Sequence, residues 1–548
     1  MNSRRTRTVA VLLAVSALLV LAAVGGAVPG LLSVGPIGET TEADRADEPT
    51  TEETVGYVEG YWYDDELDVD ERDGAVVEDD ELEAVVYRSM ARVEEIRGLT
   101  FEDDVPVEVI SREEFEADND DLFADVEGDE RIQLNVNAEA LFAVDRETDA
   151  TEEQEAMYGG TVGGYYEPGT NQVVLVSDSA ETPELDEVIL GHELLHALQD
   201  QQFDLSSYDR ETVDQDNAKN GLIEGDAVWV ETAYEQRCSE EWDCLEPDDD
   251  AGDPPDVNWV LYTSIFQPYS DGPDYVDHLR EQDEDWTAVD AAYDDPPAST
   301  SEVIRPGEDR EPAEIDVEDR SNESWSQLEV GGEPATETYG EAGMVAMFAG
   351  DAHDSNEPSV IGPDAFFESD LGGYDYDQPY TDGWSGDELV TYVADDAETD
   401  DPAAAADRAG YVWETEWSSS EDAEQFLAGY EQQLELQDAE PVDDRQDTYA
   451  IDEAYSGAYY VDHDDETVTI VNAPSVEELA AIDDGAAPEG EDTIEVDDAP
   501  ELEADDGAET GDGGDEDDSI PGFGAPAAVA ATAIAVAVAI MARVRSSR

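Results

Sequence analysis

Apolar and polar residues recur along most of this chain with periods that predict its elements. Between Glu81 and Arg97 the apolar positions Leu82, Val85, Val86, Met90, Val93 and Ile96 fall three or four residues apart, the spacing of one helix face. Val105 to Ile110 reads as a strand, and Ser111 followed by Glu114 as a capping box that opens a further helix. Tyr165-Tyr166 and Gln172 to Ser177 predict a hairpin about the turn-forming Glu167-Pro168-Gly169-Thr170-Asn171. Thr182 suits a helix N-cap and Pro183 the first helical position, with the helix running to about Phe203. A polar connection, 204–219, leads to a second apolar helix from Asn220 to Tyr234, and an acidic loop with two cysteines follows at 237–256.

From 258 to about 395 the pattern mixes helices and loops. Tyr275 to Leu279 with Trp286 to Ala292 reads as helix ending at Pro296-Pro297, and Thr338 to Phe348 as another apolar helix. Tyr411 to Trp417 alternates like a strand, Ser420 to Leu434 is helical, and Gly457 to Tyr460 with Thr467 to Val471 form a strand pair. The fold class is α+β, with residues 81–400 as the main domain and 401–481 as a small α+β module. Residues 36–80 are acidic and poor in aliphatics, and read as a linker or prosegment; 482–519, rich in Asp, Glu and Gly, reads as a solvated, disordered spacer.

Both ends carry export signals. In residues 1–35, Arg4, Arg5 and Arg7 precede the uncharged run Val9 to Val28, a signal peptide or an N-terminal membrane anchor. In 520–548, Ala525 to Ala542 is uncharged and stops at Arg543, Arg545 and Arg548, a membrane segment or sorting signal. Basic flanks stay inside, which places 36–519 outside the cell, anchored at the membrane.

Charge changes the picture further. Lys and Arg together number 23 against 147 Asp and Glu, a net charge of −124, and Lys219 is the single lysine. No basic stripe exists to follow a phosphate backbone, so nucleic-acid binding is excluded. With 40% hydrophobic residues the chain still has material for a core. A carboxylate-coated surface is tolerable where salt screens charge over about 3 Å at 1 M. That balance resembles the proteins of extremely halophilic archaea. Cys238 and Cys244 would be idle thiols in a reducing compartment, or would close a small disulfide loop outside it.

The chemistry concentrates in His192-Glu193-Leu194-Leu195-His196. Residues four apart on a helix share a face, so His192 and His196 can offer two imidazoles to one metal ion, with Glu193 beside them to handle a water proton. The chain holds 5 histidines, which makes this frame a rare coincidence. Two ligands are too few for a catalytic zinc, which takes three protein ligands and an open position.

The motif followed by a glutamate on a second helix resembles the gluzincin class of zinc metallopeptidases. The resemblance implies a zincin-like core of edge-strand sheet, motif helix and third-ligand helix. It also implies one catalytic zinc ion on His192, His196 and Glu224, with Glu193 as general base and a peptide or protein as substrate. Glu224 sits among Leu222, Ile223, Ala227 and Trp229, where an unpaired carboxylate is costly. By the same resemblance Gln172 to Ser177 is the strand that pairs with substrate. From its place on the helix Asp226 reads as a group that orients a histidine, and Glu231, on the face of Glu224, as another such group or as a solvated charge. His278 and Tyr166 are candidate donors to the oxyanion. Gluzincins often carry an acid four residues after the ligand glutamate, and Val228 stands there instead. Pro521-Gly522-Phe523 with the apolar run and basic end resembles the PGF-type tail of archaeal surface proteins, which implies removal by an archaeosortase and a lipid anchor. The rival reading is a surface structural or binding protein that keeps the metallopeptidase fold without turnover; the intact Glu193 argues against it.

Overall fold

The computed structural model describes residues 45–494 except 47, 73, 79, 116–125, 127, 178–183, 209, 248–256, 284, 309, 311, 354–357, 368–372, 398–404 and 406, together with 19–20 and 530–531. The structure is α+β, as its pattern predicts. Among the described residues no helix is long and apolar enough to cross a membrane. The predicted spans 9–28 and 525–542 lie outside the described residues apart from 19–20 and 530–531, as do Thr182, Pro183 and the spacer from 495 onward.

In chain order the N-terminal half contributes the short pair β1 (Tyr57–Val58) and β2 (Tyr61–Trp62), α1 (Leu82–Arg97), β3 (Val107–Ser111), α2 (Asp129–Ala140), α3 (Ala150–Thr161), β4 (Gly164–Glu167), β5 (Gln172–Ser177), α4 (Glu187–Phe203), α5 (Val213–Glu240), α6 (Trp259–Ser270) and α7 (Gly272–Asp283). The predicted box at Ser111 is present: Glu114 N–H donates to Ser111 Oγ at 3.3 Å and Ser111 N–H to Glu114 Oε2 at 3.1 Å. β3, β5 and β4 form a sheet with β5 in the middle, parallel to β3 and antiparallel to β4. This corrects the assignment of Gln172–Ser177 as a substrate-pairing edge. Its six residues QVVLVS are apolar enough to bury both faces and both edges, and the more polar Gly164–Glu167 takes the edge.

The segment before α1 is packed rather than trailing. Val58, Val69, Ala75 and Val77 share one core with α1, α4 and α5, so 48–80 is not a loose linker. The helix predicted from Asn220 begins seven residues earlier, at Val213. Its first two turns look like a polar loop because Asp214, Asp216, Asn217 and Lys219 are buried polar groups with partners: Asp216 with Lys219 at 2.6 Å, Asn217 with Ser264 O at 2.7 Å.

The second half adds β6 (Trp325–Gln327), β7 (Thr336–Glu337), α8 (Gly340–Ala349), β8 (Trp384–Ala394), β9 (Ala409–Trp417), α9 (Ser420–Leu436), β10 (Glu440–Pro441), β11 (Thr448–Ile451), β12 (Gly457–Asp464), β13 (Thr467–Ala473) and α10 (Val476–Ile482). These strands form an eight-stranded sheet in the order β7-β8-β9-β13-β12-β11-β10, with β6 also on β8. Alternation sorts its side chains: Leu389, Trp413 and Ile470 face helices α2, α6, α8 and α9, while Val390, Val412 and Val471 face α10. A module boundary at 400 therefore cuts between paired neighbours, since β8 runs antiparallel to β9 from Trp384↔Trp417 to Val393↔Ala409. β8 escapes the period-2 reading because it is buried on both faces. Beyond α10 the chain stays attached, with Asp447 Oδ1 accepting from Thr493 N–H at 2.8 Å and Ile494 N–H at 3.1 Å, so the spacer does not start at 482.

Glycines set the closest helix contact. Gly225 of α5 lies on Gly272 at the start of α7, and a Cβ there would come within 2.8 Å of Gly272 Cα and nearer still to its carbonyl. Backbone cannot yield as a side chain can, so Gly225→Ala is expected to destabilise the fold by about 3 kcal/mol. Gly362→Ala, with open space around it, is the near-neutral control. Denaturant midpoints at fixed salt compare the two, and equal midpoints refute the tight contact.

Glu94 of α1 provides a pH test. It is fully buried and accepts N–H bonds from Phe101 at 2.9 Å and Gly56 at 3.0 Å. Burial pushes its carboxyl up from 4.5 to about 8, against the pull of those N–H groups. Between these values the folded chain keeps a proton that the unfolded chain releases, so stability falls as pH rises through the window. Glu94→Gln should flatten that part of the stability–pH curve, and an unchanged slope would count against the assignment.

Candidate metal centre

The site is built by α4 and α5. Asp186 caps α4, accepting from Val188 N–H at 2.9 Å and Ile189 N–H at 3.2 Å, in place of the predicted Thr182. One residue on, Glu187 is fully buried between Arg88 Nη2 at 3.0 Å and Arg92 Nη1 at 2.6 Å, and accepts from Tyr234 Oη at 2.9 Å. Leu245 holds the same turn, donating N–H to Glu187 Oε2 and accepting Glu187 N–H. Cys238 and Cys244 are joined in a disulfide, so this holding loop is closed at the end of α5.

His192, His196 and Glu224 come together, all buried, each offering one ligand atom and all within 4.8 Å of one another. His192 Nε2 and His196 Nε2 are 3.0 Å apart, and Glu224 Oε2 lies 3.4 Å from the first and 3.3 Å from the second. The outer nitrogens determine the tautomers. His192 Nδ1 meets the Glu231 carboxylate at 2.8 Å, so it carries the proton. His196 Nδ1 meets Gln199 Oε1 at 2.9 Å, and the Gln199 amide is oriented by its own donation to Ile223 O at 2.9 Å. Both Nε2 atoms therefore present lone pairs to each other and to a carboxylate. Neither Glu224 oxygen receives a hydrogen bond among the described residues. Three acceptors facing one another in a dry interior fit a cation, and nothing in the donor set opposes one.

The electrostatics point the same way. Burial disfavours a charged His192, yet Glu224 and Glu231 outweigh it and push the imidazole up to about 10, so without a cation a proton takes the place beside the carboxylate that a metal would take, and metal binding displaces it. Burial would raise Glu224, but His196 and His192 hold it well below the usual carboxylate range. Glu193 is 1% exposed with Oε1 unpartnered, and burial raises it against the pull of His192 and His196.

The other predicted residues separate into used and unused. Glu231 orients His192 directly and stands seven residues after Glu224, where Val228 at the expected position could not. Asp226 acts at one remove: it accepts from Arg97 Nε at 2.9 Å, Tyr293 Oη at 2.9 Å and Gln199 Nε2 at 3.3 Å, and so braces the amide that holds His196. Gln199 and Arg97 are absent from the sequence reading. Gln199 had a signal, as a polar residue three after His196 on the same helix face; Arg97, on a helix far off in sequence, had none.

Tyr166 and His278 are not brought to the ligands. The Tyr166 hydroxyl donates to Asp200 Oδ2 at 2.8 Å and contacts Asn171 Oδ1 at 3.1 Å, which ties the hairpin turn to the end of α4 and takes Asp200 off the surface. His278 packs against Gly307, where an added Cβ would meet its ring at 2.8 Å. The strand beside the centre is β4, and a Cβ on Gly164 would lie 3.5 Å from Glu193 Cγ.

Residues 326–483 match a family model described as a domain of unknown function (DUF8575). No curated protein and no solved structure matches the chain. The matched region holds the eight-stranded sheet, and it also anchors α5. Glu337 Oε1 accepts Val213 N–H at 2.8 Å, Thr338 O accepts Asp214 N–H at 3.0 Å, and Gly340, at φ +68°, lies directly on Asp214.

The orienting bonds predict that Gln199→Leu, which strips the acceptor from His196 Nδ1, weakens binding of a divalent metal about 10–100-fold. Glu231→Gln keeps an acceptor at His192 and should cost less. Competition against a chromogenic chelator reads both, and wild-type affinity in Gln199→Leu refutes the role.

Proposed function

We propose that this chain is a zinc-dependent metallopeptidase with a zincin-like core, acting outside the cell from a membrane anchor at one or both ends. The observation that carries the reading is the convergence of His192 Nε2, His196 Nε2 and Glu224 on one point, with Glu193, whose Oε1 has no hydrogen-bond partner among the described residues, beside it. A zinc ion held by these three residues would supply Lewis acidity toward water and toward the scissile carbonyl.

The chain's own residues divide the remaining work. Glu231 and Gln199 keep both Nε2 lone pairs aimed inward. Glu193 accepts a proton from the attacking water and returns it to the departing amine, a transfer its unpaired Oε1 is free to make. The free edge of β4 offers backbone groups to an extended peptide, which would add as a fourth strand beside β4, β5 and β3. Gly164 keeps that strand close to Glu193 without a side chain between them.

The test uses the exported chain in high salt. It should contain stoichiometric zinc and cleave peptides, and lose cleavage with a chelator. Glu193→Gln should keep the metal and lose at least about 100-fold in turnover, while Glu224→Ala should lose the metal. Zinc bound with no cleavage across a broad peptide library would favour the non-catalytic binding role, and a metal-free wild type would remove both.

A further inference from the structure

The face of α5 that carries Glu224 continues toward its N-terminus through Asn220, Asn217 and Val213, three or four residues apart. Asn217 is seven residues from Glu224, about 10 Å along the axis. Beside this face α2, α3 and α6 enclose a cavity of about 80 Å³, several times what a single water needs. Its walls are of two kinds. Leu134, Leu141, Met157 and Leu261 supply an apolar sleeve, and Asn137, Gln154 and Glu337 supply polar groups.

The polar groups are short of donors. Asn137 is 5% exposed and turns its amide nitrogen toward Glu337 Oε2 at 3.5 Å, while its Oδ1 and the Oε1 of Gln154 are without a hydrogen-bond partner among the described residues. Glu337 Oε1 is taken by the N–H groups of Val213 and Thr338, at 2.8 Å and 3.1 Å, while Oε2 has the long Asn137 contact alone among the described residues. The neighbouring Asp216 differs, since Lys219 at 2.6 Å already neutralises it. Burial, with Asp387 and Asp214 close by, pushes Glu337 up to about 8 despite those two N–H bonds, so without a cation the carboxyl keeps a proton near neutral pH, which a bound ammonium would displace.

We propose that this cavity is a subsite for a lysine side chain of a peptide, its ammonium received by Glu337 Oε2 and Asn137 Oδ1 and its methylenes lying in the sleeve. An ammonium on a four-carbon stem matches both kinds of wall, and it supplies the donor that two buried acceptors lack. The distance along α5 puts that lysine about three extended residues from the bond at the metal centre. The attribution to a peptide rests on the peptidase reading; the affinity for an ammonium does not.

Calorimetric titration of the full chain with Nα-acetyl-lysine amide and with Nα-acetyl-norleucine amide, which keeps the four-carbon stem and lacks the ammonium, at one high salt concentration, tests the subsite. The lysine amide should bind at least about tenfold tighter, as buried acceptors left unpaired demand. Asn137→Leu should remove most of that preference with metal content unchanged. Asn137→Asp, which keeps the acceptor and adds charge, should strengthen lysine binding and serves should the leucine variant fail to fold. Equal binding of the two amides, or a preference that neither variant alters, overturns the proposal. Binding is read without turnover, so a chain that selects lysine amide but cuts nothing keeps the subsite and loses the peptidase. An active enzyme indifferent to lysine loses the subsite alone.

Discussion

Two buried imidazoles and a carboxylate turned on one another need a cation or a proton between them, and the rest of this molecule is arranged to hold them there. Glu231 and Gln199 fix which nitrogen of each ring faces inward. Asp226 braces Gln199, and Arg97 with Tyr293 braces Asp226. Apart from the half-buried Glu231, each layer is a buried polar group whose partner is itself buried, so removing one member leaves the next unpaired. Truncating one partner of a buried ion pair costs about 3–5 kcal/mol. The centre is thus preorganised at the expense of a network that has few ways to relax.

In a chain with 147 acids, the 23 basic residues might be expected to serve the surface. Three of them are instead spent under α1: Arg88, Arg92 and Arg97, each at most 2% exposed, answer Glu187, Asp70 and Asp226. The reason is dielectric. Salt screens surface carboxylates at no cost to the chain, but it does not reach a carboxylate in the core, which needs a cation of its own. The guanidinium also offers several fixed donors, so Arg88 and Arg92 can share Glu187 and still reach backbone carbonyls.

What could be read in advance follows from this. The two histidines, Glu193 and Glu224 were legible because polar residues in an apolar helical frame need a reason. α1, α9 and the β12–β13 pair were legible from period, and the hairpin from the turn residues Glu167 to Asn171. The first turns of α5 were not, since a buried polar residue with a partner looks like a solvated one until the partner is known. The order of β3, β5 and β4 was hidden for a different cause: which strand lies at an edge depends on pairing with residues sixty positions away, as Val107 with Val173 shows. β8 was hidden because burial on both faces erases alternation, and Gln199 because a single amide carries no pattern.

Gly225 against Gly272 has a mechanical meaning. Where side chains separate two helices, a displacement of one is absorbed by rotamer changes before it reaches the other. Here backbone lies on backbone, one residue from Glu224, and there is no such cushion. Any movement of α7, or of whatever leans on it, is transmitted undamped to the carboxylate that closes the centre. The same absence of slack that positions Glu224 makes α7 a lever on it.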